Sequence, residues 1–152
     1  MLLAAAAGVA LATVGGARIA FPVHVTSNSM APWLQAGDYG VAAYAQDVRR
    51  GDVIVFRLPF GAHELAIKRA VAVPGDCMPG RGGAAADAVA HAGREGCEPV
   101  PPGSVFVVGD NIAASLDSRD FGPVPAGAIV GRIVLPLPVT RWLGQRKAAP
   151  AP

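Results

Sequence analysis

Apolar residues along this chain come in short runs that alternate or continue for four to eight positions, and most runs end at Gly, Pro or Asp. "RIAFPVHVT" from Arg18, "DYGVAAYA" from Asp38, "DVIVFRLP" from Asp52, "HELAIKRAVAVPGD" from His63, "SVFVVGDN" from Ser104 and "AIVGRIVLPLP" from Ala128 each read as strands. Gly-Asp pairs punctuate them at 37–38, 51–52, 75–76 and 109–110, where tight turns favour both residue types. Helical spacing is scarce beyond the first residues. The pattern predicts a mainly β domain with antiparallel pairing.

Two segments depart from it. Residues 1–17, "MLLAAAAGVALATVGGA", carry no charged side chain, and Arg18 ends the run. As a helix the run would span about 25 Å, slightly short of a hydrocarbon core of about 30 Å. A snorkelling Arg18 would let it continue through "IAFPV". A single membrane anchor, a cleavable signal peptide and a buried core helix all remain open here, although no basic residue precedes the run as a signal peptide would require. Residues 77–103 are rich in Gly, Ala and Pro with little periodicity and contain Cys77 and Cys97, the chain's two cysteines. A disulfide, a metal site using His91 or His63, and two free thiols are the alternatives for that pair. The expected organisation is an anchor over 1–20, a β-rich domain over 21–76 and 100–140, an insert over 77–99, and a poorly ordered tail over 141–152.

A formal charge of +2 spread along the 152 residues gives no basic block, so nucleic acid is not an expected partner. The hydrophobic share of 52% is ample for one core.

Candidate chemistry starts with "VTSNSMAPWLQAGDYG" at 25–40, which offers Ser27 and Ser29. A serine hydroxyl is inert at neutral pH without a base beside it. His24, His63 and His91 assemble a Ser-His-Asp set only in the sense that almost any chain does. Lys68 is different. Strand alternation puts it on the face of Ala66 and Ala70, opposite Ile67 and Arg69, so one of two adjacent cations faces the core side. Burial among apolar groups would favour a neutral amine, the base a serine needs. Both residues as solvated edge positions is the plain alternative. A third stretch, "GDNIAASLDSRDFGPVP" at 109–125, concentrates Asp110, Asn111, Ser115, Asp117, Ser118 and Arg119 between two core strands.

Together "SNSMAPWLQAGD" (27–38), "RGDVIVF" (50–56), "IKRAVAVPGD" (67–76) and "GDNIAASLDSRDFGPVP" (109–125) resemble, in order, the boxes of bacterial type I signal peptidases. The resemblance covers residues 20–134. It implies an antiparallel β-sheet catalytic domain preceded by a single N-terminal apolar helix, and a membrane-bound serine endopeptidase with a Ser-Lys dyad. By position, Ser29 matches the nucleophile and Lys68 the general base. The oxyanion hole would combine the Ser29 N–H with the Ser27 hydroxyl, and Ser115 matches the serine that orients the lysine. Asp117 and Arg119 match a salt-linked pair, and Asp110 and Asn111 the turn that enters the loop. Val25, Met30, Leu34 and Ile67 match walls of shallow pockets taking small residues, an Ala-X-Ala preference.

The resemblance implies no metal or organic cofactor, exported precursors and membrane lipid as partners with no obligate protein partner, and a single-pass site in the cytoplasmic membrane with the catalytic domain outside. Trp142 and Phe60 would add interfacial contacts. Trp33 stands where a small Thr is usual and would alter substrate fit or face the membrane. Ile112 stands where an Arg commonly follows Gly-Asp-Asn. A dedicated processing peptidase of a conjugation or secretion system and an inactive membrane-tethered β interaction domain are the alternatives. A self-cleaving repressor is disfavoured, because no DNA-binding helical domain fits before Ser29.

Overall fold

Runs of β-branched residues between Gly-Asp turns do become strands. The computed structural model describes residues 13–14, 17–18, 20–45, 47–60, 64–79 and 97–147. In chain order it contains β1 (Thr13–Val14), β2 (Ala17–Arg18), β3 (Ala20–His24), β4 (Tyr39–Ala43), β5 (Val53–Arg57) and β6 (Leu65–Ala72). There follow β7 (Ser104–Val108), α1 (Ser118–Phe121), β8 (Val124–Pro125), β9 (Ile129–Leu137) and α2 (Val139–Lys147). Seven strands form one sheet in the order β3-β4-β9-β5-β6-β7-β8, with every pairing antiparallel. Register shifts at Val41/Ala42, Val55/Phe56 and Ala70/Ala72 add twist and bend the sheet.

The continuous run in β5 has a simple cause. Val53 and Val55 pack into a cluster with Val25, Met30, Leu34, Ala42 and Ile133. Ile54 and Phe56 pack into another with Val105, Val107, Val124 and Ile129. A strand buried on both faces has no polar side to alternate with.

Three of the four Gly-Asp pairs share one construction. Gly37, Gly51 and Gly75 have φ of 93°, 93° and 90°, a region costly for a residue with a Cβ. The next aspartate then accepts from the backbone N–H three residues earlier: Asp38 from Gln35, Asp52 from Arg49 and Asp76 from Val73, each at 2.8 Å. Gly109 serves another purpose, described with the site.

Two expectations change. The tail from 141 is helical instead, because Val139–Lys147 forms α2. Its first turn is held by Asp38, about a hundred residues away, so no local capping signal announces it. Within the apolar segment expected as a helix over 1–20, the described residues Thr13–Val14 and Ala17–Arg18 pair as an antiparallel ladder, in keeping with β-branched Thr13 and Val14. Residues 1–12 lie outside the described residues. Among the described residues no helix is long and apolar enough to cross a membrane.

Cys77 and Cys97 are joined by a disulfide. Beside it the chain closes a short antiparallel neck, with Met78 N–H donating to Glu98 O and Val100 N–H to Asp76 O. His63, His91 and the insert between the neck's arms lie outside the described residues.

Candidate active site

Strand β6 delivers Lys68 by register, opposite Ile54 of β5. Only 5% of the lysine is exposed. Burial pushes its amine below the ordinary lysine value, and the opposing pull of the Asp117 carboxylate does not cancel this. Lys68 Nζ lies 2.6 Å from Ser29 Oγ. The core-facing member of the Lys68–Arg69 pair is thus the lysine, as alternation allowed.

Ser29 rides on the loop between β3 and β4, which is tied at its base. Val25 N–H donates to Asp38 O and Gly37 N–H to Val25 O, while Leu34 N–H closes a turn on Met30 O. The serine is 6% exposed. Ser27 Oγ lies 3.2 Å from Ser29 Oγ. Among the described residues the Ser29 N–H has no protein acceptor, so it is available to a ligand oxygen.

The loop after β7 clamps this arrangement from the other side. Asn111 N–H donates to Ser29 O at 2.9 Å, and the Asn111 amide donates to Asn28 O. Gly109 passes so close that a Cβ there would collide with the Ser115 hydroxyl and lie 2.5 Å from the Ser29 carbonyl oxygen. Asp117, fully buried, accepts from Gly109 N–H, from Ser115 Oγ at 2.7 Å and from Arg119 through Nε and Nη2. Burial alone would raise its carboxyl, but these bonds prevail and hold it below the usual carboxylate range. The expected Asp117–Arg119 link is therefore present.

Ser115 differs from expectation. Its hydroxyl donates to Asp117 Oδ2, and no bond to the Lys68 amine forms. A charged acceptor two residues away outcompetes an amine as its partner. Asp110 also does more than enter a turn. It takes a two-pronged ion pair from Arg69 at 2.8 and 2.7 Å, while the same guanidinium reaches Gly51 O and lies 5.2 Å from the centre of the Trp33 ring. Trp33 thus stands beside Arg69, lining a second cavity of about 440 Å³ with Pro32 and Arg141, and it does not line the cavity beside Ser29. Arg69 went unassigned in the sequence, although its alternation with Lys68 was the available signal.

A cavity of about 490 Å³ opens beside Ser29 and Lys68, lined by Val25, Met30 and Ile67 among others. Leu34 is absent from the lining. It is fully buried in the cluster behind Met30, because the turn starting at Met30 points it inward. Leu116 and Ala114 do line the cavity and lacked any pattern to mark them. Among the described residues no three metal-ligating side chains gather.

A family model described as signal peptidase, peptidase S26, matches residues 1–83 and 79–138. The chain belongs to this family. Mitochondrial inner membrane protease subunit 1 of Schizosaccharomyces pombe is 33% identical over 131 residues, 81% of this chain and 78% of that protein. The probable signal peptidase I-1 of Synechocystis is 31% identical over 157 residues, covering 88% and 80%. The mitochondrial ATP-independent inner membrane protease subunit 1b of Arabidopsis thaliana is 43% identical over 89 residues, 59% of this chain and 50% of that protein. The chain thus spans about half the length of the Arabidopsis relative. Membership makes this signal peptidase homologue a hydrolase of the type I signal peptidase class. Its departures from the usual boxes lie away from Ser29 and Lys68: Trp33 covers Arg69, and Ile112 is exposed at the loop's outer turn.

Proposed function

We propose that this chain removes N-terminal signal peptides from exported precursors after Ala-X-Ala-type sites, with Ser29 as nucleophile and Lys68 as general base. The single observation that carries the reading is the 2.6 Å contact between a buried Lys68 Nζ and Ser29 Oγ. With the amine neutral, the hydroxyl donates along that contact. Ser29 Oγ then attacks the scissile carbonyl while Lys68 takes its proton. Negative charge on the carbonyl oxygen meets the Ser29 N–H and the Ser27 hydroxyl. Lys68 passes its proton to the leaving amine, and the lysine, neutral again, deprotonates the water that releases the acyl-enzyme.

Substrate would lie extended between two unpaired backbone edges. Among the described residues β3 pairs with β4 alone, and β7 joins β6 only from Arg69 onward, which leaves residues 65–68 one free edge. An extended peptide adds to such edges through its own backbone. Pro22 lacks an N–H, so β3 donates only on either side of it. Val25, Met30 and Ile67 leave room for small side chains near the cut, which supports Ala at the selected positions. Asp110, Asn111, Asp117 and Arg119 support the loop, and Ser115 reaches the lysine's surroundings through Asp117.

Two of the relatives are inner membrane proteases by name, which supports membrane attachment of this domain through its apolar N-terminal residues. A tether shared with a membrane-held precursor raises effective concentration. The disulfide favours an oxidising compartment outside the cytoplasm.

The test is cleavage of an Ala-X-Ala precursor by the purified protein in detergent, read by mass spectrometry. A cut after the second Ala, abolished by Ser29→Ala and by Lys68→Ala, is the expected result. Cleavage that persists in Ser29→Ala would refute the dyad. No cleavage of any precursor by folded wild type would move the assignment to an inactive interaction domain.

A further inference from the structure

Helix α2 begins at Val139, immediately after the family match ends at residue 138, yet it is fastened to the loop that carries Ser29. The first N–H groups of a helix have no partner within it. Here Thr140 N–H donates to Asp38 Oδ1 at 2.8 Å, and Thr140 Oγ1 donates to the same oxygen at 2.8 Å. The other carboxylate oxygen accepts from Gln35 N–H within the loop. One buried carboxylate is therefore divided between the helix and the loop. A second fastening comes from Arg141, whose Nη2 donates to the Pro32 carbonyl, three residues past the serine. The approach is close: a Cβ on Gly37 would lie 3.3 Å from Thr140 Cγ2.

We propose that α2 is a strap that positions the nucleophile, with Thr140 and Arg141 holding the Val25–Asp38 loop so that Ser29 stays within reach of Lys68. Thr140 is a positioning residue in this scheme, since it acts on Ser29 through Asp38 and the loop. The proposal rests on the reading of Ser29 as nucleophile. A buried carboxylate that loses one of three donors draws its remaining partners inward, and the other ties of the loop's C-terminal end, to Val25, Asn28 and Gln35, run within the loop itself and let it shift as a unit. Small displacements of a reacting oxygen reduce turnover more than binding, because the groove that holds substrate is built mainly from β3 and β6.

The test uses the full chain with Thr140→Val, Thr140→Ser, and a chain ending at Pro138. Kinetics on an Ala-X-Ala peptide are paired with hydrogen exchange over residues 26–38. Thr140→Val is expected to lower kcat about tenfold while KM stays within about twofold, with faster exchange in the loop. Thr140→Ser, which keeps the hydroxyl, restores both. Unchanged kcat and unchanged exchange in Thr140→Val overturn the strap. Should the chain ending at Pro138 not fold, Thr140→Val decides alone. Should wild type cut no peptide, the peptidase reading fails, and loop exchange still decides whether α2 holds the loop.

Discussion

Lys68 owes its chemistry to the place where β6 sets it. An ammonium with 5% exposure has lost most of its hydration, and the amine is driven toward the neutral form. Two outcomes follow with defined signs. kcat/KM should fall on the acid side as pH passes down through the lowered lysine value, reporting one proton. Stability runs the same way. The unfolded chain holds that proton more tightly than the folded one, so burial costs stability below the folded value, and the cost fades as pH rises to the unfolded value. Lys68→Met should thus abolish cleavage yet raise unfolding stability at pH 6 by about 1 kcal/mol in urea melts. Gly109 shows the complementary constraint, space instead of charge. Gly109→Ala would push a methyl into Ser115 and the Ser29 carbonyl, and kcat should drop about a hundredfold in a chain whose circular dichroism is unchanged.

At the scale of elements, buried Asp38 and Asp117 and half-buried Asp76 organise the loops. Asp38, Asp76 and Asp117 all experience burial that would raise their carboxyls, and in each case hydrogen bonds and a neighbouring arginine lower them instead. Each therefore adds stability that is present above the unfolded carboxylate value and lost as pH falls through the lowered folded value. Denaturant melts from pH 7 to pH 3 should show that loss. Asp117→Asn should remove most of one contribution, about 3 kcal/mol at pH 7, because Arg119 then faces a neutral amide.

These elements also show what could be read in advance. The strands were legible because β-branched runs and Gly-Asp turns are local signals. The meeting of Ser29 with Lys68 was suggested by alternation and strengthened by the ordered boxes. α2 carries no local signal because Asp38, its cap, lies in another loop. Leu34 and Ser115 lie elsewhere than the sequence suggests for a related reason. Which way a side chain turns depended on Met30 and Asp117, neighbours whose effect appears only in three dimensions.

Across the whole molecule, the disulfide and the sheet order set how the parts hold together. Cys77 and Cys97 are 20 residues apart in sequence, and a closed loop of that length stabilises by roughly 3 kcal/mol. Reduction with a thiol should lower the melting temperature by several degrees, and Cys77→Ser with Cys97→Ser should reproduce the shift. Cleavage should persist in that variant below its melting point, since the disulfide pins the insert and touches neither Ser29 nor Lys68.

Strand β9 lies between β4 and β5. Ser29 belongs to the β3–β4 side and Lys68 to the β5–β8 side, and among the described residues β9 supplies the strand pairing that joins them. The ribosome makes β9 last among the strands. Ser29 and Lys68 are thus both synthesised before the strand that joins their two sides of the sheet, with only the loop after β7 already in place against Ser29. A chain stopped after Ala128 should label poorly with a serine-directed probe, and adding residues 129–147 as a separate peptide should restore labelling.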